Sequence, residues 1–180
     1  MSAEEDLRAW LRQHGAETVE HPGGTLYAHL SRVHDRLGAL GLGVDVQLAG
    51  LAHAVYGTDG FDLVLLDPAD HDTLRDLIGA PAQRLVYLYG ACDRDRTWRR
   101  LADTGEVWNR FTDTVESLDP DVLRSFADLT VVNELDVVEQ DPAVAARHGD
   151  SFRSLFASWA RIASAQVIAD AGRTLSIVIS

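Results

Sequence analysis

The chain has 180 residues, of which 46% are hydrophobic, so it is long enough to fold as about one domain with a substantial core. Its formal net charge is −12, from 16 basic and 28 acidic residues, which disfavours binding to nucleic acid and to anionic membranes. A single cysteine, Cys92, excludes an internal disulfide and a cysteine-based zinc cluster.

These properties indicate a cytoplasmic protein and do not exclude a small anionic substrate. One cysteine suits a reducing compartment, and the acidic first residues, Met1 to Asp6, are unlike a signal peptide. No apolar run approaches the roughly 20 residues that span a bilayer. We therefore expect no membrane partner and no nucleic-acid partner.

The first half of the chain predicts a series of amphipathic helices. Apolar residues at helical spacing, capping residues and glycine stops predict helices over residues 2–14, 25–40, 45–56 and 70–78. Pro81 is predicted to begin a long helix that carries Cys92 on its apolar side. On the second helix, His29 lies on the apolar face, whereas His34 is displaced from it and is predicted to be solvated.

The second half predicts a hairpin followed by further helices. Residues 107–112 and 114–117 are predicted to pair around Asp113. Two long helices are predicted over 119–140 and 150–169. The predicted fold class is all-α, a single helical domain over residues 1–180 with a small β-hairpin near 106–117.

The apolar C-terminal segment has a separate prediction. Residues 175–179 are predicted to pack as an extended strand. Within this segment, Ile177 to Ile179 form a candidate contact surface for a homodimer.

Two histidines on apolar faces form the main candidate site. His29 lies on the second helix, and His53 lies in the next apolar helical run. A buried imidazole needs a hydrogen-bond partner or a ligand, so both residues are candidates for a metal site, for acid–base catalysis or for a structural role. Neutral imidazoles bind Fe, Mn or Zn, and Asp59 is the nearest carboxylate that could complete such a set.

The residues beside His53 and on two later helices extend this candidate site. Tyr56 and Asp59 are candidates for orienting His53 during catalysis, and Thr58 for binding substrate. Arg94 offers a planar fork of donors that suits a carboxylate or a phosphate. Asn133 is a polar residue on an apolar helix and is a further candidate for substrate binding. Each has a structural alternative: packing, turn formation, an exposed charge or a buried amide that braces a helix.

The segment Ala49 to Asp59 resembles a branch of the HD-domain superfamily that has the motif A-G-L-x-H-[SA]-x-Y-G-T-[DE]. His29 matches the first histidine of that superfamily, and His53 matches the histidine of its His-Asp doublet. Three later segments are similar to this branch: Cys92-Asp93-Arg94, Asn109-Arg110-Phe111-Thr112 and Val132-Asn133-Glu134. The resemblance covers about residues 20–140 and implies an HD-like helical bundle.

The resemblance also implies chemistry, with two departures. HD-domain proteins are mostly metal-dependent phosphohydrolases, with some di-iron oxygenases. Ala54 stands where the doublet has its aspartate, and Asn133 stands where the distant aspartate is expected. Both changes remove a charged ligand, which weakens binding of a hard divalent cation.

Three functions follow from these residues. The first is a metal-dependent hydrolase acting on a small anionic metabolite, with His29, His53 and Asp59 as metal ligands. The second is a metal-free lyase, isomerase or cyclase that uses His29 or His53 as acid or base. The third is a non-catalytic helical domain that binds a small molecule or a partner protein.

Overall fold

The structure is a computed structural model that describes residues 2–178 and is mostly helical in that range. The α-helices are α1 (Ala3–Gln13), α2 (Leu26–Ala39), α3 (Val44–Ala52), α4 (His71–Ile78), α5 (Ala80–Ala91), α6 (Arg94–Thr104), α7 (Pro120–Gln140), α8 (Pro142–Ser158) and α9 (Ala165–Val178). The strands form two antiparallel pairs, β1 (Glu20–His21) with β2 (Gly24–Thr25) and β3 (Glu106–Asn109) with β4 (Thr114–Ser117). A short 3₁₀ helix, Trp159–Arg161, connects α8 to α9. The predicted all-α class is therefore confirmed.

Local sequence signals set the ends of the early helices. The Ser2 hydroxyl accepts from the backbone N–H of Glu5 at 3.3 Å, and the Glu5 carboxylate accepts in return from the Ser2 N–H, which forms a capping box on α1. Thr25 caps α2, and Asp70 caps α4. The predicted starts of these three helices are confirmed.

The predicted hairpin is confirmed as β3 and β4, paired from Glu106 with Ser117 to Asn109 with Thr114. Asp113 in its turn has a φ of 56°, a left-handed conformation that aspartate tolerates better than most residues.

The centre of the fold is α7, in which every residue from 126 to 136 is buried. A helix buried on all sides over several turns must be surrounded, and α7 contacts α2, α3, α5, α8 and α9. The close approach of α3 to α2 depends on Gly50, where an added Cβ would lie 2.4 Å from Cδ1 of Leu37. Helices α2, α3 and α7 therefore meet closely enough for their polar side chains to touch.

The prediction for the C-terminal third was wrong in its boundaries. A helix was expected over 150–169, but α8 ends at Ser158 and α9 begins at Ala165. The break is held by a tertiary contact, because buried Asp128 of α7 accepts from both the N–H and the hydroxyl of Ser164, at 2.7 and 2.6 Å.

The C-terminal segment is also not a strand within the described part of the chain. Residues 175–178 form the last turn of α9. Ile179, the remaining residue of both the predicted strand and the candidate dimer surface, lies outside residues 2–178. Ile177 is 75% exposed, and nothing in the structure bears on the homodimer.

His34 was predicted to be solvated, yet it is only 8% exposed. Its Nδ1 lies 3.0 Å from the Asp35 carboxylate and 3.4 Å from the guanidinium of Arg8 on α1. Helix α1 covers this side of α2, which the spacing of residues along α2 alone did not reveal.

The helices described over residues 2–178 include none with the length and apolar character needed to cross a membrane.

Candidate functional site

His29 stands at the middle of the site, with both ring nitrogens engaged by α7. Its Nδ1 lies 2.6 Å from Oδ2 of Asp136, and its Nε2 lies 2.9 Å from Oδ1 of Asn133. Asn133 and Asp136 are three positions apart and therefore lie on one face of the helix. One turn of α7 thus holds the ring of His29 from two directions.

The carboxylate of Asp136 decides which nitrogen of His29 carries a proton. Arg32 donates from Nε to Oδ1 at 2.7 Å and from Nη2 to Oδ2 at 2.9 Å. Burial opposes the charge of Asp136, but the hydrogen bonds from His29 and Arg32 outweigh it and lower its pKa. Because an ionised carboxylate only accepts hydrogen bonds, Nδ1 of His29 must be the donor.

His53 lies at the C-terminal cap of α3, one residue beyond the helix, and presents its Nε2 to His29. The Nδ1 atom donates to the backbone carbonyl of Gly50 at 2.7 Å. Burial, and then the nearby His29, lower the pKa of His53 to about 3. The ring is therefore neutral near pH 7, and its Nε2 carries a lone pair 3.2 Å from Nε2 of His29.

Glu134 fixes the orientation of the Asn133 amide. Its Oε1 accepts from Nδ2 of Asn133 at 3.0 Å, which leaves Oδ1 of Asn133 facing His29. The same Oε1 lies 3.1 Å from Nη1 of Arg94 in an ion pair. Glu134 therefore connects the amide of Asn133 to the guanidinium of Arg94.

These contacts bring three acceptor atoms together. Nε2 of His29, Nε2 of His53 and Oδ1 of Asn133 meet with separations of 3.2 and 2.9 Å from the first to the others. If both histidines are neutral, with their protons on Nδ1, the lone pair on Nε2 of His29 faces one lone pair on Nε2 of His53 and another on Oδ1 of Asn133. Such an arrangement needs a positive centre, either a metal ion or a second proton on His29.

The separations fit a transition metal. Two donors about 2.1 Å from one ion, subtending roughly 90–109°, lie about 3.0–3.4 Å apart. Both Nδ1 atoms are held by acceptors, as metal-binding histidines require. Imidazole ligands favour Zn, Fe and similar ions.

The charge of these three ligand atoms is less favourable for a divalent cation, because none of them is a carboxylate or a thiolate. Among residues 2–178, no group of three or more His, Cys, Asp and Glu side chains is placed to hold a metal ion. A bound ion would therefore depend on the amide of Asn133 as its third protein ligand. The carboxylates of Asp136 and Glu134 would act only through the ligands that they orient.

The histidines open into a cavity of about 220 Å³, smaller than the roughly 300–1,000 Å³ of typical small-molecule sites. Its lining combines imidazoles, apolar side chains, one cation and two acids: His21, Pro22, Leu26, His29, His53, Ala54, Thr58, Asp59, Gly60, Phe61, Arg94, Asn133, Glu134 and Val137. The size fits a small metabolite. Ala54 leaves one side of the histidine pair without a carboxylate.

Arg94 is the cation of the cavity. The chain leaves α5 at Ala91, and Asp93 caps α6, so Arg94 is the first residue of the new helix. Its guanidinium donates to the Tyr89 hydroxyl at 3.1 Å. Burial disfavours the charge, yet the neighbouring Tyr89 and Glu134 raise the pKa of Arg94, which stays charged.

The structure brings most of the predicted site residues together. His29, His53 and Asn133 are in contact, and Thr58, Asp59 and Arg94 line the same cavity. Asp59 does not contact the histidines. Its Oδ2 accepts from the backbone N–H of Arg94 at 2.9 Å, an interaction that stabilises the start of α6.

Tyr56 was predicted to be catalytic, but it does not line the cavity. Its hydroxyl donates to the carbonyl of Asp70 at 3.0 Å and accepts from Gln83 at 3.2 Å. The chain turns after Ala52, so Tyr56 projects toward α4 and α5 rather than toward His53. The Tyr56 hydroxyl therefore connects Asp70, the cap of α4, to Gln83 of α5.

Three residues of the site were missed in the sequence. Asp136 accepts from Nδ1 of His29, Arg32 donates to the Asp136 carboxylate, and His21 stacks on the His29 ring with centroids 4.0 Å apart. The three-residue spacing between Asn133 and Asp136 on one helix was a sequence signal for Asp136. His21 carries no such signal, because the short β1–β2 turn places it there.

Residues 10–94 match a protein family described as Domain of unknown function (DUF6817). This region contains His29, His53 and Asp59, and it ends at Arg94. Comparison with curated proteins and with solved structures gave no match. These comparisons do not link the chain to the HD-domain superfamily.

Proposed function

We propose that this chain is a small-molecule enzyme with an altered HD-type pocket, a metal-dependent hydrolase that acts on a small anionic metabolite. The observation that carries the proposal is the meeting of three lone-pair atoms from α2, α3 and α7. Their separations of 2.9 and 3.2 Å suit ligands of one ion. His29, His53 and Asn133 would hold a divalent ion such as Zn, Fe or Mn, with Asp136 and Gly50 orienting the two rings.

A bound divalent metal would supply Lewis-acid polarisation of the substrate and would lower the pKa of a water molecule. The side chains of the cavity would bind and orient the substrate. Arg94, held charged inside the cavity, would bind the anionic group of the substrate. Thr58 offers a hydroxyl within the same lining. Leu26, Phe61 and Val137 add apolar surface to the lining around these polar groups.

The proposal is tested by metal titration of the EDTA-treated protein. Calorimetry with Zn²⁺, Mn²⁺ and anaerobic Fe²⁺ should detect one ion per chain for at least one of them. His53→Ala and Asn133→Ala should weaken that binding, whereas His14→Ala, at an exposed position on α1, should not. Absence of binding by all of these ions, or binding that is unchanged in His53→Ala, would contradict the proposal.

The reaction itself is tested by phosphate release. The metal-loaded protein is incubated with a panel of small phosphate monoesters, and inorganic phosphate is measured. Release should require the metal and should fall strongly in Arg94→Ala. If release persists at the same rate in EDTA, the metal-dependent mechanism is wrong.

A metal-free acid–base enzyme is the second candidate, and one observation favours it. His29 and Asp136 are 2.6 Å apart, and a second proton on His29 would satisfy both His53 and Asn133 without a metal. His29 would then be the general acid of a lyase, isomerase or cyclase. Imidazole ¹⁵N spectra of the EDTA-treated protein distinguish the two, since a doubly protonated His29 differs in shift from a neutral one.

A further inference from the structure

A second and larger cavity adjoins the candidate site. It has a volume of about 1320 Å³ and lies between α6, α8 and the middle of α7. Gly60, Arg94 and Glu134 line both this outer cavity and the inner cavity that contains the histidines. The two cavities therefore lie side by side and meet at these three residues.

Two of the three shared lining residues, Arg94 and Glu134, form an ion pair. Nη1 of Arg94 lies 3.1 Å from Glu134, and the guanidinium lies over the ring of Trp98, 4.8 Å from its centroid. Trp98 lines only the outer cavity of the two. The guanidinium of Arg94 thus lines the inner cavity and also stacks on Trp98, an aromatic residue of the outer cavity.

Most of the donors of Arg94 remain available to a ligand. An arginine carries five N–H groups. Within residues 2–178, its guanidinium makes one hydrogen bond, to Tyr89, in addition to the ion pair with Glu134. The guanidinium therefore has more N–H groups than these two contacts use.

The outer cavity has a different chemical character. Trp98, Val144, Phe152 and Leu155 supply apolar and aromatic surface. The charged residues around them are of both signs, including Arg99 and Asp95, so the cavity has no strong preference for an anion. This lining suits an apolar group, and an aromatic ring in particular.

We propose that the two cavities form one two-part site, and that its substrate class is an anion attached to an aromatic or other bulky apolar group. The anion binds Arg94 beside His29 and His53, and the apolar group occupies the outer cavity against Trp98 and Leu155. The inference rests on the proposed function, because it places the reacting anionic group in the inner cavity. It adds that the substrate carries a second, apolar part beyond the anionic group that occupies the inner cavity.

The test compares two non-hydrolysable probes, phenylphosphonate and methylphosphonate, by calorimetry on the full chain with saturating Zn²⁺. Burial of the phenyl ring should make phenylphosphonate bind about ten- to a hundredfold more tightly. Leu155→Glu, a partly exposed position on α8, should remove most of this difference and leave methylphosphonate binding unchanged. Val115→Glu, on the exposed surface of β4, is the matched control and should change neither affinity.

The outcomes separate the two proposals. Equal affinities for the two phosphonates, or a preference for phenylphosphonate that survives Leu155→Glu, would overturn the two-part site and leave the proposed function intact. Failure of both probes to bind would overturn the inner anion site, and with it both proposals. A preference lost in Leu155→Glu but kept in Val115→Glu supports the two-part site.

Discussion

Asp136 accepts a hydrogen bond from Nδ1 of His29 at 2.6 Å, and the Asp136 carboxylate is held on its other side by Arg32. The contact joins α7 to α2 across 107 positions of sequence. It fixes the tautomer of His29 and turns its Nε2 toward His53. The reactivity of the site therefore depends on a residue that does not line the cavity.

Replacing Asp136 with asparagine should weaken metal binding about 10- to 100-fold, the usual effect of losing a partner that orients a histidine ligand. The neutral amide is a poorer acceptor for Nδ1 of His29 and leaves the Arg32 charge unpaired. Calorimetric titration with Zn²⁺ measures the change. Asp170→Asn is the control, since Asp170 accepts from Arg36 of α2 at 2.8 Å but lies outside the cavity. An unchanged dissociation constant in Asp136→Asn would show that His29 needs no such partner.

Tyr56→Phe should destabilise the protein by about 1–3 kcal/mol, because it leaves buried Gln83 without an acceptor. It should not change metal binding, because the hydroxyl points away from the histidines. Urea unfolding gives the free energy, and the Zn²⁺ titration gives the affinity. A fall in affinity with unchanged stability would return Tyr56 to the catalytic site.

Gly50→Ala should destabilise the fold by about 1–3 kcal/mol, the typical cost of overpacking a core. The new Cβ would clash with Cδ1 of buried Leu37 and lie 3.3 Å from Cγ1 of Val33, so either the Leu37 side chain or α3 must shift. If α3 shifts, metal affinity should fall as well, because His53 then moves away from His29.

The matched control for Gly50 is Gly172→Ala on α9. An added Cβ at Gly172 meets no atom within 4 Å, and alanine favours the helix, so stability should stay equal or rise. Equal effects of the two alanines on urea unfolding would show that α2 and α3 are not closely packed at Gly50.

Acid should destabilise the metal-free protein between about pH 6.5 and pH 4. The pKa of His53 is lowered from 6.5 to about 3 by burial, so below pH 6.5 the unfolded chain binds a proton that the folded chain does not. The stability that the folded chain gains by keeping His53 neutral is complete above pH 6.5. It is lost as pH falls toward the folded pKa, by about 1.4 kcal/mol per pH unit for one histidine.

His21 acts in the same direction, since burial lowers its pKa to about 4. Urea unfolding in EDTA across this range should show a smaller slope for His53→Gln than for the unchanged chain. The exposed His14 serves as the control, and His14→Gln should keep the full slope. A stability that does not vary with pH would mean that His53 is not buried in its neutral form.

Helices could be predicted where the signal is local to the sequence. Ser2, Thr25 and Asp70 cap helices through side chains that reach only three residues ahead. The break between α8 and α9 has no equivalent local signal. It depends on Asp128, which lies 36 positions before Ser164 and is brought there by the packing of α7.

The histidines of the site could be predicted because an imidazole on an apolar helical face is unusual. The partners were harder to predict, since a carboxylate such as Asp136 is ordinarily solvated and gains its role only when α2 packs beside it. Asp59 lies only six positions after His53 in sequence, but its carboxylate accepts from the backbone N–H of Arg94 at the start of α6.

One turn of α7 holds both nitrogens of His29, whereas Nδ1 of His53 is held by the backbone carbonyl of Gly50 in α3. The site therefore has a fixed half, made by α2 and α7, and an adjustable half, made by α3. Substitutions at the contact between α2 and α3 change the gap between the two imidazoles while the tautomer of His29 is preserved. For the proposed metal site, substitutions in α3 alone would therefore change the spacing of the two imidazole ligands, and with it the ionic radius that fits between them.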